Sequence, residues 1–293
     1  MHKVEAKGIL SAHNGMNIYR GCTHGCIYCD SRSTCYQMDH DFEDVQVKIN
    51  APKLLEQALS RKRKKCMIGT GAMSDSYIHL EEELQMTRRC LEVIRDYGFG
   101  LAIQTKSARI LRDLDLLVAI NEKAKCVVQM TLTTYDEELC KILEPNVSTT
   151  SERFKVLAVM RDCGIPTIVW LDPLLPWIND TEENLRGVMR YCIEAQVKGI
   201  ICFNIGLTLR DGNREYFYAK LDEHFPGMKE KYKARYGSLY QIISPKSEKL
   251  MSIFRDLCDN HGIISSVNGC FDYLRLFEDK GPKQMLLPLD DLF

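Results

Sequence analysis

The stretch Met16-Asn-Ile-Tyr-Arg20-Gly21-Cys22-Thr-His24-Gly-Cys26-Ile-Tyr28-Cys29 decides the reading of this chain. Its first five residues have strand character and Gly21 ends them. Three cysteines follow at once, spaced Cys-x3-Cys-x2-Cys on the loop after that strand. A 4Fe-4S cube held wholly by protein takes four thiolates. Three leave one iron open, and an open position on a metal is where a substrate or cofactor binds. The same run also admits a zinc knuckle with His24 or Cys35 as fourth ligand, although no second Cys-x2-Cys or His pair follows at zinc-finger spacing. Cys22, Cys26 and Cys29 are the metal-ligand candidates on the first reading and three of the four on the second.

Outward from this loop, short apolar runs alternate with amphipathic helical patterns. Further strands are expected at Lys65 to Gly69, Gly100 to Gln104, Cys126 to Leu132, Thr167 to Leu171 and Gly199 to Asn204. Pro52 starts a helix after Asn50. Thr134 with Glu137, Thr149 with Glu152 and Asp180 with Glu183 have the spacing of capping boxes just after strand ends. Repeated βα units of this kind build a parallel sheet. Six are too few for the eight-stranded closed barrel, so the expected fold is α/β, a partial (β/α)6 barrel of parallel strands with ligands at the strand C-termini. It spans residues 1–206, with the cluster loop at 21–30. Residues 207–293 read as a C-terminal α/β appendage, with one helix from Pro245 to Asn260 and an extended tail.

Composition narrows the class. With 45% hydrophobic and 27% charged residues the chain is globular, not disordered or collagenous. Lys plus Arg (39) nearly balance Asp plus Glu (40), so no global field draws it to nucleic acid or anionic membrane. No run of about 18 apolar residues occurs and the sequence MHKVEAKGIL at the start lacks an apolar core, so a cytoplasmic protein without membrane contact is expected. Thirteen cysteines, an odd number, argue against a disulfide framework; Cys90, Cys126, Cys163, Cys192 and Cys258 read as small core hydrophobes. The basic run Arg61 to Lys65 precedes the second strand, away from the mouth, and reads as a solvated helix end.

The cysteine spacing on the loop after strand one of a six-unit βα chain resembles the radical S-adenosylmethionine (radical SAM) superfamily. The resemblance implies a 4Fe-4S cluster whose open iron is chelated by the methionyl amine and carboxylate of SAM. It also implies one-electron cleavage to a 5'-deoxyadenosyl radical that takes a hydrogen atom from substrate. Tyr28 matches the aromatic usual before the third cysteine, beside the adenine. Gly71, in the small-residue turn Gly69-Thr-Gly-Ala72, stands where the family's glycine-rich motif meets the methionyl amine, although it departs from the usual Gly-Gly-Glu. Lys106 at the end of strand three suits the SAM carboxylate, and the alternating hydroxyls of Thr131 and Thr133 face the mouth.

Further segments resemble the spore photoproduct lyase-like branch, also grouped as DNA repair photolyase-related proteins. Gly71-Ala-Met-Ser74-Asp75 looks like that branch's Ala-Cys-Thr-Ser-Asp, Gln104-Thr-Lys106 like Val-Thr-Lys, Glu144-Pro145 like Glu-Pro-Gly, and Lys233-Ala-Arg235-Tyr236-Gly237 like its Arg-Tyr-Gly segment. Ser74, Asp75 and Lys106 are by this likeness SAM-pocket residues, and Arg235 and Tyr236 substrate-side residues. Two departures stand out: Ala72 occupies the place of the lyase's cysteine hydrogen donor, and Asp30 the place of a tyrosine. Cys202, near the end of strand six, is the best-placed substitute donor.

The expected function is therefore a radical SAM enzyme, a lyase or another radical-based modifier, acting on a nucleic-acid or nucleotide-derived substrate. The aromatic and basic residues between Arg210 and Lys249 suit unstacked bases and phosphates. An electron donor such as flavodoxin or ferredoxin is implied. Gln284 to Leu289 loosely resembles peptides that dock on the sliding clamp, with packing on the barrel as the simpler reading. Competing readings are a radical SAM enzyme on a peptide or small metabolite, and a non-catalytic iron-sulfur or zinc binding protein.

Overall fold

The computed structural model describes residues 1–281, and the expected clamp-like segment 284–289 lies outside them. Gly15–Met16, Met67–Thr70, Gly100–Thr105, Cys126–Thr131, Thr167–Trp170 and Gly199–Ile201 form one sheet in sequence order, every neighbouring pair parallel. This is the expected arrangement of six βα units. Met16–Arg20 is divided: Met16 stays in the sheet, while Tyr19–Arg20 pairs with Gln46–Lys48 in a small side sheet.

Alternation along the strands sorts side chains to two faces. Ile68, Leu101, Ile103, Val128, Met130, Val169 and Ile200 belong to the large core that the surrounding helices cover. Met67, Ala102, Val127, Ile168 and Ile201 form a second layer on the concave face, where Cys270 and Leu274 of the helix Val267–Arg275 fill the barrel's lower end. That helix replaces part of the extended tail expected after residue 260. Because both faces are covered, the central strands read as continuous apolar runs instead of alternating patterns.

Both outer strands are also engaged. Met16 bridges Leu10, and Ile200 N–H donates to Ile264 at 2.8 Å. The helix at Ala51–Ser60 begins with Pro52 as expected. Of the three expected capping boxes, that of Thr149 and Glu152 is present. Asp136 and Thr181 cap the other two helices, one or two residues from the positions expected, because Thr134 instead accepts the Asp136 N–H and Asp180 accepts the Trp177 N–H. Cys163 is exposed at a helix end, whereas Cys90, Cys126, Cys192 and Cys258 are buried.

The chain after residue 206 does two separate things. Gly206–Thr208 and Gln241–Ile243 pair antiparallel, with the helices Asn213–His224 and Met228–Tyr236 between them, and form a side wall at the mouth. Ser247–His261 then returns to the barrel, packing on Glu182–Glu194.

Candidate active site

The cysteine loop is held from both sides. Gly21 has φ +91°, and a Cβ there would lie 2.4 Å from the Phe42 carbonyl, which accepts the Cys22 N–H at 3.0 Å. This turn needs glycine. On the other side Ile27 N–H donates to Leu143 at 3.0 Å, and the Asn146 backbone and side-chain amides donate to the His24 and Thr23 carbonyls at 3.1 and 3.0 Å. Beneath the loop the Tyr28 hydroxyl donates to Glu144, and Glu144 pairs with Arg153. Arg153 also donates to the carbonyls of Ser148 and Thr131 at 2.7 and 2.8 Å.

A cavity of about 660 Å³ opens at the strand C-termini. Cys26, Cys29 and Lys106 line one part of it, and Asp172 and Phe203 another. At its rim Arg210 donates to the hydroxyls of Tyr36 and Tyr240 at 3.0 and 2.7 Å. Asp30, which follows the third cysteine, accepts the Tyr36 hydroxyl at 2.8 Å and so anchors this rim.

The donor set fits a cluster better than a single ion. One zinc, with Zn–S of about 2.3 Å, needs its sulfurs within about 4 Å of one another. Among the described residues the close set of three His, Cys, Asp or Glu donors, all within 4.8 Å, is His2, His40 and Asp44, not the cysteines. Three cysteines of one loop held farther apart than this suit separate irons of one cube. Burial pushes the Cys22 thiol up to about 12, and Cys26 is also raised well above the ordinary value. Forming these thiolates needs the positive charge of bound metal.

Lys106 is the cation of this wall. Burial lowers its pKa, but Cys26, Glu144 and Asp75 raise it on balance, so its ammonium stays charged. Among the described residues its Nζ joins no hydrogen bond or ion pair, which leaves three donors for an anion. The hydroxyls of Thr131 and Thr133 are buried without partners, as is His24 Nε2. Burial holds His24 neutral against the attraction of Asp75. None of Thr131, Thr133 and His24 is in the lining of the cavity.

Other candidates take different places. Asp75 is occupied within the protein: it accepts Thr105 Oγ1 at 2.7 Å and the Tyr77 and Lys106 N–H groups at 2.8 Å each. It aims the Lys106 segment, and Ser74 is buried beside it. The tight approach at Gly71, φ +91°, is to the neighbouring strand, since a Cβ there would meet the Gln104 carbonyl at 1.9 Å. Arg235 is exposed and Tyr236 is buried with its hydroxyl on the Ile243 carbonyl, so neither lines the cavity. Cys202 turns outward, 3.7 Å from Met251 Sδ on the covering helix.

Sequence reasoning did not assign Arg153, Asp172 or Phe203 a role, and reached Arg210 and Tyr240 only as part of the basic and aromatic segment from Arg210 to Lys249. Asp172 had a signal, being next in the alternation Ile168, Trp170. Burial pushes its carboxyl up to about 8, only partly offset by the Phe203 N–H it accepts at 2.9 Å. Arg153 had none, because a buried arginine in a helix looks like a surface one.

Residues 16–205 match the radical SAM superfamily. The chain is a radical SAM protein. Its cofactors are S-adenosylmethionine and a 4Fe-4S cluster. This radical SAM protein is 28% identical over 244 residues to the uncharacterized protein Rv2578c of Mycobacterium tuberculosis, covering 80% of this chain and 71% of that protein. It is 31% identical over 169 residues to the uncharacterized protein MJ0683 of Methanocaldococcus jannaschii, covering 57% and 62%. Its fold is similar to a spore photoproduct lyase complexed with dinucleoside spore photoproduct, with TM-score 0.62 at 15% identity over 85% of this chain and 74% of the other. Among the described residues no helix is long and apolar enough to cross a membrane.

Proposed function

We propose that this radical SAM protein is an enzyme that holds its cluster through Cys22, Cys26 and Cys29 and abstracts hydrogen from a nucleic-acid or nucleotide-derived substrate. The observation that carries this reading is one cavity with Cys26, Cys29 and Lys106 on one wall, facing a rim of Arg210, Tyr240 and the 60%-exposed Phe203. When bound and reduced by a partner such as flavodoxin or ferredoxin, the cluster supplies the electron that cleaves SAM. Lys106 binds the SAM carboxylate, and Tyr28 braces the cysteine loop from below. Asp75 aims the Lys106 segment and Gly71 lets its loop cross the neighbouring strand; Ser74 lies with them under the SAM pocket. The rim offers a cation for phosphate and aromatic faces for an unstacked base. Arg235 and Tyr236 act from farther out, Tyr236 by bracing Ile243 and Arg235 as a peripheral phosphate contact.

The test is anaerobic incubation with SAM and reductant, following 5'-deoxyadenosine by mass. Alanine at any one of Cys22, Cys26 and Cys29 should abolish cleavage, and Cys35→Ala should leave it; persistent cleavage in all three variants overturns the ligand assignment. Fluorescence anisotropy with single-stranded or lesion-bearing DNA addresses the substrate. Arg210→Ala should weaken binding and its salt dependence more than Arg235→Ala does. If wild type binds neither DNA at low salt, a peptide or metabolite substrate replaces this one.

A further inference from the structure

We propose that His2, His40 and Asp44 form a second metal site, for a divalent ion of zinc type, that clamps the loop holding Cys22. The three side chains place one potential ligand atom each within 4.8 Å of one another. Two imidazole nitrogens and one carboxylate oxygen are a donor set that zinc accepts with a fourth position left for water. His40 Nδ1 lies 3.0 Å from the Asp41 carbonyl, which must receive a proton from it. That fixes the tautomer and leaves a lone pair on Nε2, the arrangement that orients ligating histidines. Nε2 is buried and has no hydrogen-bond partner. The His2 ring stands edge-on to His40 with centroids 4.8 Å apart, and His2 Nδ1 lies 2.9 Å from Asp44 Oδ2. Asp44 Oδ1 accepts the Met1 amine at 2.9 Å, and an incoming ion would share the carboxylate through Oδ2.

The site sits where a clamp has leverage. Between His40 and Asp44 lies Phe42, whose carbonyl accepts the Cys22 N–H and closes over Gly21. His2 belongs to the strand His2–Val4, paired in parallel with Gln46–Lys48. A metal bridging these three residues ties both ends of the Phe42 loop to the side sheet and fixes the support of the first cluster cysteine. The site is distinct from the cavity at the barrel mouth, whose lining includes none of the three.

The experiment uses full-length protein with its iron-sulfur cluster reconstituted, titrated with Co²⁺ and then Zn²⁺. Wild type should bind one Co²⁺ with the visible bands of nitrogen and oxygen coordination and without thiolate-to-cobalt charge transfer. His40→Gln and Asp44→Asn, tested separately and with iron content confirmed equal to wild type, should each weaken cobalt binding by on the order of a hundredfold, as loss of a ligand demands. Zn²⁺ should raise the thermal midpoint of wild type and of neither variant. The proposal is overturned if wild type binds no cobalt, if both variants bind it as tightly as wild type, or if a thiolate charge-transfer band shows that the ion sits on cysteine. None of these outcomes depends on SAM cleavage or on the substrate.

Discussion

Arg153 and Glu144 form an ion pair with both side chains fully out of solvent, and the other Glu144 oxygen takes the Tyr28 hydroxyl directly under the cysteine loop. Breaking a buried pair from one side leaves an uncompensated charge. Arg153→Met should therefore destabilise the fold by about 3–5 kcal/mol, and Tyr28→Phe by about 1–3 kcal/mol. Denaturant unfolding measures both. Arg153→Met should also lower iron retention, and a variant with wild-type stability and iron content would show that the pair does not support the loop.

Lys106 presents an ammonium to the cavity, and among the described residues no hydrogen bond or ion pair engages its Nζ. A charge-assisted bond to a ligand carboxylate is worth about 1.5–3 kcal/mol. Lys106→Ala should weaken SAM binding correspondingly, by roughly tenfold to a hundredfold and more. Equilibrium dialysis reads this directly, and an unchanged affinity would remove Lys106 from the pocket.

Asp172 gives a pH signature of unusual sign for a carboxyl. Its folded pKa, about 8, lies above the unfolded value because of burial, so the folded state binds the extra proton between these values. Stability must then fall as pH rises from the ordinary carboxylate range to about 8, and level off above it. Asp172→Asn should lose this decline. Unfolding free energies at pH 5 and pH 9 for both proteins decide it; parallel profiles would place the titration elsewhere.

Ala72 lines the cavity; by the sequence likeness it stands for the cysteine donor of the spore photoproduct lyase-like branch, and an alanine methyl has no readily transferred hydrogen. Cys202 points away into the helix layer. We expect no multiple-turnover repair of spore photoproduct by wild type, and no change on Cys202→Ala. Repair by Ala72→Cys alone would show a pocket that accepts the dimer and lacks only a donor. Clean turnover by wild type would remove the residue as a discriminator.

The barrel was legible because the alternation of buried strands and capped helices is local. Gly100 to Gln104 and Cys126 to Leu132 needed only their own composition to be found. The cysteine loop was equally plain, being three cysteines within eight residues. What escaped was whatever depended on distant partners. Asp75 looks like a ligand-binding carboxylate until Thr105 and Lys106 fold against it, and Tyr236 looks like a surface aromatic until its hydroxyl meets Ile243. The two-residue side pairing at Tyr19–Arg20 was hidden within one apolar run, since periodicity does not tell which sheet a strand joins.

The cysteine loop leans on residues 143–146, and the bond from Tyr28 to Glu144 spans 116 positions. Such contacts close late, since a long chain segment must be ordered before they gain anything. During synthesis the three thiols emerge well before the segment that positions them. Iron delivered at that stage would meet three cysteines within eight residues of unfolded chain, open to exchange and to oxidation. Maturation therefore belongs after the fourth strand and its following helix have docked. In refolding, holo yield should follow the ordering of residues near 144 and lag behind thiol exposure.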